Sequence, residues 1–160
     1  MIFISLGSRE YQFDRLLREI DNLIEDGSIK ESVFAQIGNS NYIPKYYKFE
    51  RYLSPDEFIN YQKKADLIIS HGGTGALIGA LKLGKKVIAV PRKLKYNEHT
   101  DDHQNEVSII LEQNGFLESV DNIKDLMKKI KLSKEKEYKP FYLESNVINI
   151  VVDFLEDLSK

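Results

Sequence analysis

Cysteine and tryptophan are absent from the 160-residue chain, and histidine occurs three times. Without thiols there is no disulfide, no thiolate nucleophile and no zinc–cysteine cluster. With so few imidazoles a metal centre is not expected either. Neither charge sign dominates: 23 Lys and Arg stand against 25 Asp and Glu, a net charge of -2. That removes the general electrostatic reason for a nucleic-acid partner. No apolar run approaches the ~20 residues that span a bilayer. The amino terminus has no basic leader before an apolar stretch, so a cytoplasmic location is expected. Internal repeats, low-complexity tracts and interdomain linkers are missing too, so the 160 residues read as a single domain.

What is present is an alternation of short apolar runs and amphipathic stretches. Residues 2–6, 33–37, 67–69 and 87–90 are continuous apolar or nearly apolar runs, as in strands buried on both faces of a parallel sheet. Residues 46–52 predict a more exposed strand and 116–120 a short one. Helical spacing occurs over residues 11–26, with Phe13, Leu16, Leu17, Ile20, Leu23 and Ile24, and again with Ala76, Leu77, Ala80 and Leu81. Ser54-Pro55-Asp56-Glu57 has the form of a helix start, with Ser as cap, Pro at the first position and Glu closing a capping box. Further helices are predicted around Val107, Ile110 and Leu111, around Ile123, Leu126, Met127 and Ile130, and over residues 145–158. Residues 131–139 read as a charged connector. The core is therefore expected within residues 1–131, and a connector with a final helix within 132–160. The pattern is that of a doubly wound α/β domain with a parallel sheet.

In such sheets ligands bind outside the carboxyl ends of the strands, where the strand order reverses. Three segments are expected to meet there. Gly7 and Ser8 follow the first strand. His71-Gly72-Gly73-Thr74-Gly75 joins a strand to a helix, whose free N–H groups and positive dipole end suit a phosphate or diphosphate. The motif has no P-loop lysine and is not a clean G-x-G-x-x-G, so neither a nucleoside triphosphatase nor a dinucleotide enzyme is indicated. The third segment, residues 92–105, carries Glu98, Asp101, Asp102, His103, Gln104 and Asn105, a mixture of acceptors and amides that suits sugar hydroxyls. Together the segments describe a site for a nucleotide sugar. Alone, Asp101 or Asp102 is equally a helix cap. His71 is a hydrogen-bond donor to a ligand oxygen, a general base, or a turn residue satisfied by backbone. Arg92 either neutralises a phosphate or is an ordinary surface arginine.

Three separated motifs, in this order, carry a family resemblance. They are Ser5-Leu6-Gly7-Ser8 with Phe13-Asp14-Arg15-Leu16, then His71-Gly72-Gly73-Thr74-Gly75 with the run to Pro91, then Asp102-His103-Gln104-Asn105-Glu106. Over residues 2–120 they resemble the C-terminal, donor-binding half of glycosyltransferase family 28. The opening motif is similar to the start of the small stand-alone members, among them the catalytic subunit of the two-part N-acetylglucosaminyltransferase of dolichol-linked glycan assembly, and the form of residues 98–104 is similar to the bacterial exopolysaccharide and capsule subunits of the PssE type. The resemblance implies a Rossmann-like domain, one half of a GT-B glycosyltransferase. It further implies a UDP-sugar donor, no metal, a lipid-linked saccharide acceptor, and a separate membrane-associated subunit that supplies the acceptor half. By the same carry-over Gly72, Gly73, Thr74 and Gly75 meet the diphosphate, Gln104 and Asn105 meet the donor sugar, and Gly7 and Ser8 line the cleft towards the acceptor. Many relatives place a ribose-binding glutamate where this chain has Gly79, so either Glu98 or another acid substitutes, or the donor is held differently. Two alternatives stay open: a non-catalytic stabilising subunit, and a nucleotide-sugar epimerase-like protein.

Overall fold

The computed structural model describes residues 1–100 and 103–142, with no side-chain detail for His103 and Gln104. Asp101, Asp102 and the helix expected over residues 145–158 lie outside the described residues.

Six strands form one all-parallel sheet: β1 (Ile2–Ser5), β2 (Val33–Gln36), β3 (Lys48–Glu50), β4 (Leu67–Ser70), β5 (Lys86–Ala89) and β6 (Glu118–Ser119). Their spatial order is β3-β2-β1-β4-β5-β6, so the order reverses between β1 and β4. All four residues of β1 and of β4 are buried, which is why these strands are uniformly apolar up to their terminal serines. Helices cover both faces. On one face α1 (Asp14–Glu25) and α5 (Leu126–Glu135) pack Leu16, Leu17, Ile20, Leu126 and Ile130 against Ile2, Ile4 and Leu6. On the other, α3 (Thr74–Lys82) and α4 (His103–Gln113) pack Leu77, Leu81, Val107 and Leu111 around Phe3 and Ile68. There α2 (Pro55–Lys64) adds Phe58 and Tyr61. This is the doubly wound, Rossmann-like arrangement expected from the alternating pattern.

The capping box forms as read: the Ser54 hydroxyl accepts from Glu57 N–H, and the Glu57 carboxylate accepts from Ser54 N–H. Several boundaries differ, most at the third strand and the fifth helix. The third strand has three residues rather than seven. Buried Asp21 on α1 accepts from the backbone N–H groups of Lys45 and Tyr46 and from the Tyr42 hydroxyl, withdrawing that backbone from the ladder. The fifth helix continues past residue 131 to Glu135, and Ser133 within it is buried. Phe141 is also buried, edge-on to Phe116 with ring centres 5.1 Å apart. The packed body thus extends beyond the limit expected from charge, because the lysines of this stretch project from a helix that buries Ile130 and Ser133 and from the segment after it that buries Phe141.

Candidate functional site

Parallel pairing of β1 with β4 sets Ser5 opposite Ser70 and brings the turns after the two strands together. The Ser5 carbonyl accepts twice from His71, from its backbone N–H at 3.2 Å and from ring Nδ1 at 3.0 Å. A carbonyl oxygen only accepts, so Nδ1 carries a hydrogen and, in the neutral ring, Nε2 presents a bare lone pair. Burial, then the nearby Arg92 charge, push the imidazole pKa down to about 4. At neutral pH His71 is therefore a hydrogen-bond acceptor at Nε2. Donation to a phosphate from that atom requires a second proton. Beneath the turn, the hydroxyls of Ser5 and Ser70 are buried with no partner among the described residues.

Two glycines leave room for this ring. Gly7 has φ +74°, a conformation that side chains rarely adopt, and a Cβ there would stand 2.9 Å from His71 Cε1. At Gly73 the backbone is ordinary, φ -65° and ψ 121°, but a Cβ would stand 2.8 Å from Cε1 and nearer still to Nε2. Gly73 is also the cap of α3, a helix with no side-chain cap and no acidic residue in its first turn. Its first N–H groups are thus left for a guest, whereas α2 fills its own amino end with Ser54, Asp56 and Glu57. Thr74 opens α3, Gly75 is exposed, and Ser8 lies exposed on the rim of the turn after β1.

The third segment leaves β5, the strand next to β4, so it rises from the same edge of the sheet. It passes through a single 3-10 turn, Leu94–Tyr96, and enters α4, whose first three residues are His103, Gln104 and Asn105. Asn105 is half-buried and lines a hollow of about 230 Å³ with Lys93, Lys95 and Asp121. His99 packs its ring against Tyr11, centres 4.6 Å apart.

Two residues expected at the ligand face inward instead. Arg92 is 2% exposed; its Nη2 donates to the carbonyls of Leu6 at 2.7 Å and Tyr11 at 3.1 Å, and its guanidinium lies over the Phe13 ring. Burial lowers its pKa to about 10, which leaves it charged at neutral pH. Glu98 is 1% exposed, and both its oxygens are taken by Arg15 and by Lys93 N–H. Phosphate contact by Arg92 and ribose contact by Glu98 are therefore replaced by roles in holding loops. Leu6, Tyr11 and Arg15, which hold them, lie more than eighty residues away in sequence, where no local signal marks them. Position 79 stays glycine on α3, and a Cβ there would touch the Gln62 amide at 3.7 Å.

A larger hollow, about 550 Å³, opens at the opposite, amino edge of the sheet beside Met1, Asp66, Lys85, Lys86 and Lys134. Its lysines are already engaged: Lys85 Nζ donates to the Lys63 and Ala65 carbonyls, Lys86 Nζ to the Lys134 carbonyl, and Lys134 pairs with Glu31. Among the described residues no three His, Asp or Glu groups gather as metal ligands would.

An all-parallel sheet reversing between β1 and β4, with a glycine turn and an uncapped helix at the reversal, defines a Rossmann-like domain with an anion-receptive turn. The chain belongs to the glycosyltransferase family 28 C-terminal domain family, which it matches over residues 1–158. It is similar to a UDP-N-acetylglucosamine transferase subunit ALG13 of Debaryomyces hansenii, 26% identical over 115 residues, 65% of this chain and 53% of that protein. The chain thus spans about half the length of that relative. Among solved structures, its fold matches a Methanocaldococcus jannaschii UDP-GlcNAc 2-epimerase in complex with UDP-GlcNAc and UDP, with TM-score 0.60 and 18% identity, covering 97% of this chain and 45% of that one. It also matches the solution structure of ALG13, with TM-score 0.57 and 19% identity over 91% of this chain and 90% of that one. Among the described residues no helix is long and apolar enough to cross a membrane.

Proposed function

We propose that this chain binds the UDP-sugar donor of a two-part glycosyltransferase and completes its active site with a second, membrane-associated subunit that carries the acceptor. The observation that carries this reading is the uncapped amino end of α3, at the strand-order reversal, meeting the Gly7 turn across the His71 ring. Family membership and the ALG13 relative support it.

In this reading the diphosphate lies on residues 72–75, and the sugar lies towards Gln104 and Asn105 on α4. Asp102 and His103 belong to the same sugar-side segment. Gly7 and Ser8 face the acceptor. The bond that breaks joins the sugar's anomeric carbon to the β-phosphate oxygen. The negative charge that grows on UDP meets the N–H groups and dipole of α3, so leaving-group stabilisation calls on no metal. The bond that forms joins the same carbon to an acceptor hydroxyl, whose proton must be removed. The proton acceptor is His71 Nε2 or a group on the partner subunit. Alone the imidazole is a weak base, and the incoming diphosphate's negative charge raises its basicity, since nearby anions favour the imidazolium. The acceptor is a lipid-linked saccharide, and the partner holds this chain at the cytoplasmic membrane face. The form of residues 98–104 favours exopolysaccharide or capsule synthesis as the setting.

The test is reconstitution. The chain alone should turn over UDP-sugar at background, and transfer to a lipid-linked saccharide should appear when the cognate acceptor-half subunit is added. Full transfer by the isolated chain would contradict the two-part reading, as would release of a free epimer from the UDP-sugar without acceptor.

A further inference from the structure

The loop that leaves β1 and the loop that leaves β5 are tied together by polar contacts, most of them half-buried, none of which involves the glycine turn. Arg15, in the first turn of α1, donates from Nε to Glu98 Oε1 at 2.9 Å and from Nη2 to Glu98 Oε2 at 2.9 Å. Its guanidinium lies over the rings of Phe13 and Tyr96, at 5.2 and 4.9 Å. The same Nη2 reaches the Pro91 carbonyl at 3.4 Å, and Glu98 Oε2 also accepts from Lys93 N–H at 3.0 Å. Gln12 adds bonds to the carbonyls of Tyr96 and Asn97, and Arg92 ties the far side to Leu6 and Tyr11.

A two-pronged arginine–carboxylate pair fixes orientation as well as distance. Burying such a pair is costly, and an apolar pair of similar volume is often as stable. Its directionality is what an apolar contact lacks. The loop it orients, residues 91–100, leads into the α4 residues assigned to the sugar, whereas none of the bonds named above involves the diphosphate turn, residues 72–75.

We propose that Arg15 and Glu98 are positioning residues that set the sugar-side loop, so that they govern how much the sugar adds to UDP binding without affecting the grip on UDP itself. This rests on the donor-site reading above. The experiment measures dissociation constants by calorimetry for UDP and for UDP-glucose, UDP-galactose, UDP-glucuronate and UDP-N-acetylglucosamine. It uses the wild type, Glu98→Gln, Arg15→Lys and the apolar pair Arg15→Met/Glu98→Leu, with thermal melting to verify folding. Expected is UDP affinity within about twofold of wild type, and loss of most of the extra affinity that the best sugar confers, roughly tenfold. Arg15→Lys, which keeps charge but not the fork, should lose it too. The proposal is overturned if UDP and UDP-sugar affinities fall together, if neither changes, or if no sugar adds to UDP in the wild type. Failure of the wild type to bind UDP at all would instead remove the donor-site reading, and this proposal with it.

Discussion

Gly73→Ala is expected to weaken UDP binding by roughly 100-fold, about 2.7 kcal/mol, while the neighbouring Gly75→Ala leaves the fold at least as stable as before. The two substitutions add the same methyl group two residues apart. At Gly73 the backbone angles are open to any residue, so the objection is space alone. The added carbon would stand 2.8 Å from His71 Cε1 and closer to Nε2. The ring has little freedom to give way, being 8% exposed and held by the Ser5 carbonyl. Either His71 turns out of the crevice or the amino end of α3 shifts, and both spoil the diphosphate seat. At Gly75 a Cβ meets nothing within 4 Å, and alanine in a helix is favoured over glycine by about 0.5–1 kcal/mol. If a diphosphate approaches this backbone, Gly75→Ala should also lose UDP affinity while its melting temperature holds or rises. Unchanged UDP binding in both variants would contradict a guest at this turn.

Acidification is expected to cost the wild-type chain more stability than a His71→Gln variant. The His71 pKa is lowered from 6.5 to about 4, by burial first and then by Arg92, with the His99 and Arg9 charges adding to it and the Ser5 carbonyl opposing it. Between those values the unfolded chain binds a proton at this residue and the folded chain does not. Stability therefore falls as the pH drops from about 6.5 to about 4 and levels off below. The full loss is about 3.5 kcal/mol, at about 1.4 kcal/mol per pKa unit. The carboxylates of Glu31, Glu118 and Asp121, held below their ordinary range by lysine partners, add a further loss at more acidic pH. Chemical denaturation across pH 4–7 separates the two, because only the first disappears in His71→Gln. Parallel curves for wild type and variant would refute the neutral, carbonyl-bound imidazole.

The parts of this molecule that were legible in advance are those governed by neighbours in sequence. The Ser54 box, the buried runs of β1 and β4 and the glycine turn before α3 each declare themselves within a few residues. The reversal of strand order follows because consecutive helices must cover both faces of one sheet. What was not legible depends on groups that folding brings together. Glu98 has the composition of a ligand residue, and only its burial against Arg15 withdraws it. Arg92 reads as a surface cation until the Leu6 and Tyr11 carbonyls are found at its tip. Asp21 looks like one more polar position on α1, yet it holds the N–H groups of Lys45 and Tyr46, just before β3, away from the ladder. The His71 tautomer was undecidable among three roles because it is dictated by a carbonyl sixty-six residues earlier.

The central claim is that UDP occupies the crevice between the turns after β1 and β4. Backbone amide NMR during a UDP titration tests it most directly. Saturable shifts should concentrate at Gly7, Ser8 and residues 71–75, with smaller ones at the start of α4. Shifts confined to the amino-edge hollow around Lys85 and Lys86, or none at all with UDP in large excess, would contradict it.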